Sequence, residues 1–167
     1  SMLNFFLNLF RSNSNQHPAL SGEMKLNYNI KPYGLFSFQP GNAVYELRSD
    51  VFGQETDIEL DVRTSNSFDR AFSCLRKLDI EWFEKAILYT TNEEYILFED
   101  FIGEPEIWVD RQTFINNIKK SPILQIWVED DECSVSLTLN DGGFFGGHFI
   151  VLEADEFGKI DHVGVHG

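Results

Sequence analysis

The chain has 167 residues, 43% of them hydrophobic, with 16 Phe, 5 Tyr and 3 Trp; this length and aromatic content suit one folded domain and exclude a disordered chain. Its two cysteines, Cys74 and Cys133, stand far apart and in no C-x-x-C pattern, which excludes a disulfide framework or a zinc ribbon, so both read as reduced and packed. A net charge of −14 argues against nucleic acid or an anionic membrane as partner, since both need positive patches.

The charge is unevenly placed. Residues 86–158 hold 15 Asp and Glu against three basic residues, Arg111, Lys119 and Lys120, whereas the rest of the chain holds 12 acidic and 10 basic residues. Such a field would attract a cationic partner, although solubility alone is the plainer explanation of acidity.

Ser1 ahead of Met2 reads as a residue left by tag cleavage. Residues 2–10 are apolar but carry no positive n-region, no small-residue cleavage site and too few residues to span a bilayer, which points to a cytoplasmic protein. Leu3, Phe6, Leu7 and Phe10 follow helical spacing, and Phe5 and Leu9 fill the flanks, so the spacing predicts a short helix that must dock on something. Its own domain is the simplest host. A polar linker with Pro18 and Gly22 follows. The expected division is therefore an apolar helix plus linker over 1–22 and a single α+β domain over 23–167.

Met24, Leu26, Tyr28 and Ile30 alternate with polar residues, the pattern of a half-buried strand. Runs 33–39 and 43–49 flank Pro40-Gly41 and predict a hairpin. In run 56–63, Ile58, Leu60 and Val62 share one face while Asp57, Glu59 and Asp61 share the other. The three carboxylates resemble a ligand comb, but a solvated face or a guarded sheet edge fits them better. Ser67 can cap a helix whose stripe is Phe68, Ala71, Phe72, Leu75 and Leu78, and Asp79 can cap a second with Trp82, Phe83, Ala86 and Ile87 inward. The acidic stretch 93–110 permits strand or irregular structure. Asp110 caps a short helix bearing Phe114, Ile115 and Ile118, which Ser121-Pro122 ends.

Strands are then expected at 123–129, 133–139, 148–154 and 160–166, an antiparallel meander with turns at Asp130-Asp131, Asp141-Gly142 and Gly158. The unbroken apolar run 149–152 suits a central strand covered on both faces. Strands, then helices, then strands imply an α+β fold: antiparallel sheet from an N-terminal four-strand segment and a C-terminal four-strand meander, with about three helices packed on it.

Candidate chemistry is sparse. Gly142-Gly143 and Gly146-Gly147 could admit a phosphate, yet no Lys-Ser/Thr follows and the flanks are strands, so a turn and bulge fit better. His148, His162 and His166 invite a metal hypothesis, since residues four apart on a strand share a face, but no further ligand pattern accompanies them and no metal is expected. His148 alone could serve as a general base; a histidine with a structural role is the commoner case. Neither Cys74 nor Cys133 sits at a helix N-terminus that would activate it for a Cys-His hydrolase. The run 129–132 lacks the spacing of a calcium loop.

Thr113-Phe114, then Ile126 to Asp130, then Asp141, Phe145, Gly147, His148, Ile150, Gly158 and Gly167 carry a resemblance that spans about 33–167. In them the chain resembles a bacterial family of unknown function whose pattern ends in a D-x-x-x-F-x-G-H-x-I block; Gly146 stands where that family often has an aromatic residue. The resemblance implies a ligand loop made of Asp141, Phe145, Gly147 and His148 but no activity. Similar small acidic bacterial proteins look like immunity proteins beside toxin genes, by analogy only. The leading expectation is a cytoplasmic, non-enzymatic protein-binding module with no cofactor. It would dock a basic protein through Glu99, Asp100, Glu104, Glu106 and Trp108, in the manner of an immunity-type inhibitor. The rivals are a small-molecule or metal-dependent enzyme built on the glycine loop and His148, and a scaffold domain attached through the N-terminal helix. The oligomeric state is left open.

Overall fold

In a computed structural model, the described residues are 27–41, 44–62, 65–102, 109–129, 132–143 and 145–166, excluding the side chains of 65–66 and 93–102. Eight strands form one sheet in chain order: β1 Asn27–Ile30, β2 Gly34–Gln39, β3 Val44–Asp50, β4 Glu55–Asp61, β5 Ile123–Glu129, β6 Glu132–Leu139, β7 Phe149–Asp155 and β8 Ile160–His166. Between β4 and β5 come three helices, α1 Ser65–Leu75, α2 Ile80–Ile102 and α3 Arg111–Ile118. Every neighbouring pair is antiparallel except β4 and β5, which run parallel. A parallel pair cannot be closed by a tight turn, so the helical segment serves as its crossover. The α+β architecture expected from the sequence is thus present, with its two four-strand segments fused into a single sheet. Segment 1–22, Met24 and Leu26 lie outside the described residues.

Alternation fixes which face of each strand meets the helices. Tyr45, Leu60, Ile126, Val135 and Ala154 are consecutive cross-strand partners, and Ile58, Leu124, Leu137, Leu152 and Val163 form the next row. With Phe68, Ala71, Leu75, Trp82, Phe83, Phe114 and Ile118 from the helices they make one apolar core. Burial of each large side chain there is worth about 1.5–3 kcal/mol. Phe68 of α1 stacks on Tyr28 at 3.8 Å between ring centroids and meets Tyr45 edge-on at 5.6 Å. The burial of Tyr45 pushes its phenol up to about 12, with nearby Tyr28 adding to the effect.

The helix boundaries correct two expectations. α1 starts at Ser65, ahead of the expected cap Ser67. Asp79 does cap α2, its carboxylate accepting from the Trp82 backbone N–H at 2.9 Å, but α2 continues to Ile102, through the acidic stretch expected to be strand or irregular. No Gly or Pro interrupts residues 80–102, and an uninterrupted helix keeps gaining a hydrogen bond per residue once nucleated. Gly103 and Pro105 follow directly. Asp110 caps α3 as expected, accepting from Thr113 N–H at 2.7 Å, and those backbone and side-chain bonds to Thr113 hold its carboxyl below the ordinary value.

Candidate functional site

Directly paired strand residues share a face, so the register fixes what lies on the side away from the core. Asn27, Ser37, Glu46, Glu59, Gln125, Ser136, Glu153 and His162 are successive partners across all eight strands. This second face therefore carries an unbroken polar row. Its two halves differ in exposure.

On the N-terminal half, β2, β3 and β4 line an open hollow of about 430 Å³ bordered by Leu35, Ser37, Gln39, Glu46, Asp57 and Glu59. Arg48 is the cation in that lining, and it is already engaged: its guanidinium lies 3.0 Å from Glu55 and 3.8 Å from Asp57. Glu59 accepts a hydrogen bond from Gln125 Nε2 at 2.6 Å. Partial burial nevertheless raises its carboxyl above the ordinary value, and the charges of Glu46 and Asp57 push the same way, against the Gln125 bond. Leu35 adds an apolar contact point, 53% exposed. The expected carboxylate face of Asp57, Glu59 and Asp61 is real, but β4 is a central strand, so these groups do not guard an edge.

On the C-terminal half the same face is shielded from water. Trp127, Ser136, Val151 and Glu153 are only 8%, 9%, 3% and 7% exposed, which is the two-sided burial expected for the apolar run of β7. Burial raises the Glu153 carboxyl, and His162 opposite it partly offsets that rise. His162 and His166 have ring centroids 5.8 Å apart. Both Nε2 atoms stand 3.1 Å from the place a Cβ on Gly164 would occupy, so the missing side chain makes room for the two rings. Burial, with His162 adding to it, holds His166 below its ordinary pKa. Among the described residues no group of three or more His, Cys, Asp or Glu side chains is placed to hold a metal ion.

The glycine-rich connection between β6 and β7 is organised from within. Asp141 accepts from Gly143 N–H at 2.8 Å with one carboxylate oxygen and from Gly147 N–H at 2.7 Å with the other, and Asn140 accepts from Gly142 N–H at 2.8 Å. Gly143 and Gly147 have φ of 82° and 87°, a region open to glycine and costly for other residues. Phe145 is buried and meets Phe114 of α3 edge-on at 6.3 Å. Asp141, Phe145 and Gly147 thus build the loop and anchor it to α3. His148 is exposed at its end, its backbone N–H bonded to the Phe145 carbonyl at 3.2 Å. No catalytic partner side chain meets the His148 ring among the described residues.

The expected partner-binding residues fall in two groups. Glu99 and Asp100 lie in the last turns of α2. Glu104, Glu106 and Trp108 lie outside the described residues. Sequence reasoning missed that Cys74 and Cys133, far apart in the chain, pack against one common core. Cys74 is buried on α1 and Cys133 is partly exposed near the start of β6. It also missed the polar row: each strand shows its polar phase, but only the register lines the phases up. Comparison with protein-family models, with curated proteins and with solved structures found no match for this chain.

Proposed function

We propose that this protein is a non-enzymatic binding module that docks a basic protein on an acidic surface. The observation supporting this reading most is the hollow on β2–β4, where Glu46, Asp57 and Glu59 crowd together and the Arg48 guanidinium is already held by Glu55 and Asp57. An incoming lysine or arginine would offset the repulsion that Glu46 and Asp57 exert on the Glu59 carboxylate. Exposed Leu35 on its rim offers an apolar contact beside the charges. Long-range attraction from the net charge of −14 would speed the encounter. Glu99 and Asp100, with Glu104, Glu106 and Trp108, form a second acidic candidate, and an immunity-type inhibitor of a cationic toxin is the finer form of the same reading.

The experiment is a nuclear magnetic resonance titration of the labelled protein with an oligo-arginine peptide, followed by affinity capture from host lysate at low and high salt. Shifts centred on β2–β4, lost in a Glu46→Lys/Glu59→Lys variant together with the salt-sensitive captured protein, support the docking surface. Shifts confined to the end of α2 move the site to Glu99 and Asp100. No shift anywhere, with capture unchanged by the charge reversal, overturns the reading.

A further inference from the structure

We propose that the apolar segment Leu3–Phe10 docks on its own domain, on the second face of the sheet over β5–β7, across Trp127, Ser136 and Val151. The inference does not rest on the acidic docking surface, which lies on β2–β4. Its basis is a buried patch that the described elements leave uncovered. Trp127 and Val151 are 8% and 3% exposed, yet both stand outside the apolar core that the three helices close. Ser136 and Glu153 lie between them in the register and are buried as well. The Trp127 indole Nε1, the Ser136 hydroxyl and Nε2 of His162 are shut off from water and meet no hydrogen-bond partner among the described residues. Polar atoms enclosed in this way cost free energy, so the surface over them must bury enough apolar area to offset it.

The occupant follows by elimination. These side chains are buried within a single chain, so what covers them belongs to that chain. The helices lie on the opposite face, and the two connections beside the patch turn toward them: Phe145 packs on Phe114 of α3, and Gly158 holds Trp82 of α2. Outside the described residues, only 1–26 form a stretch longer than six residues. The next longest, 103–108, joins α2 to α3 on the helical side.

Chemistry and reach both suit that segment. Six of the eight residues of Leu3–Phe10 are Leu or Phe and none is charged, as a cover over Trp127 and Val151 requires. As the short helix its spacing predicts, it would be about 12 Å long, against roughly 10 Å from β5 to β7. β6 lies five strand spacings from β1, roughly 24 Å, and residues 11–26 can span up to about 50 Å. Burial raises the Glu153 carboxyl, and foremost among the effects that lower it is the charge of the chain's amino terminus, the sign that a docked N-terminal segment gives. The sheet is then a middle layer over its C-terminal half, and only its β2–β4 half stays open on the second face.

A photoreactive benzoyl-phenylalanine placed at Phe6 of the full chain, irradiated at low protein concentration and mapped by mass spectrometry, tests the position directly. The expected product is a monomer with adducts in β5 or β7. Adducts confined to the helices, adducts joining two copies, or no adduct on the folded body would each overturn the proposal. Hydroxyl-radical labelling adds an independent readout, with Phe157, 72% exposed, as the internal reference. Phe6→Asp should raise labelling of Trp127 by roughly fivefold or more while Phe157 keeps its rate, and Phe6→Leu should leave Trp127 protected. Trp127 that stays protected in a folded Phe6→Asp protein would overturn the proposal. Where Phe6→Asp fails to fold, the adduct map decides. Neither readout involves a basic partner, so failure here is separate from failure of the acidic docking surface.

Discussion

Trp82 on α2 donates its indole N–H to the Gly158 carbonyl at 2.7 Å, so the long helix is pinned to the turn that joins β7 to β8. The same glycine has φ of 82°, and a Cβ there would lie 3.2 Å from the indole ring and 3.4 Å from Leu78. Both backbone conformation and space call for glycine. Gly158→Ala is expected to destabilise the fold by about 1–2 kcal/mol, and Trp82→Phe, which orphans the carbonyl, by about 1 kcal/mol or more. Urea denaturation of both variants checks this; an unchanged midpoint for Gly158→Ala would contradict the geometry.

Asp141 offers a sharper discrimination, because its two oxygens serve different glycines. Asp141→Asn keeps one acceptor oxygen and should lose one bond, whereas Asp141→Ala loses both. Stability should fall in that order, by roughly 0.5–1.5 kcal/mol for each bond. Equal losses for the two variants, measured by chemical denaturation, would mean that the carboxylate does not bridge the loop.

Phe145 holds that loop against Phe114, and truncation leaves a cavity between loop and α3. Phe145→Ala should cost about 3–5 kcal/mol, and amide exchange should quicken across the connection and in α3 before the rest of the sheet responds. Exchange that quickens uniformly would place Phe145 in the global core and deny it a local anchoring role.

Glu59 makes stability depend on pH in a definite direction. Its folded-state carboxyl binds a proton more tightly than in the unfolded chain, so between the ordinary carboxylate value and the raised one the native state holds more protons. Stability from this group is full below that window and is lost as pH rises through it. Glu59→Gln keeps an acceptor for Gln125, removes the titration and should stabilise the protein at neutral pH, by on the order of half a kcal/mol once solvent screening is allowed for. Thermal melts from pH 4 to 7, roughly the carboxylate window, should show a smaller decline for the variant. A steeper decline would reverse the sign of the argument.

Local signals account well for most of the fold. Alternation placed Ile58, Leu60 and Val62 inward, Pro40-Gly41 marked the β2–β3 turn, and Asp79 and Asp110 proved to be helix caps. What local signals could not supply was pairing across the crossover. The parallel contact of β4 with β5 leaves no trace in either strand, so Asp57, Glu59 and Asp61 resembled an edge although Gln125 lies beside Glu59. The length of α2 was misjudged because tyrosine, phenylalanine and isoleucine favour strands in isolation, while the preceding capped turns had already nucleated a helix. Of the candidate site, the acidic character was visible, but its focus at Glu46 and Glu59 depends on the register.

The parallel seam also bears on how the chain reaches its structure. Residues of β1–β4 and of β5–β8 can each zip up from neighbouring hairpins, whereas β4 and β5 meet only after residues 62–122 have been gathered between them. Closing a loop of that length costs roughly 3–4 kcal/mol in chain entropy before any seam contact repays it. The two meanders can therefore form early and the seam late, so the folding rate is set by the helices that shorten the gap. Truncations at Leu60 or Ile126, which face each other across the seam, should then mainly hasten unfolding, while changes in the helical core at Leu75 or Phe83 slow folding itself.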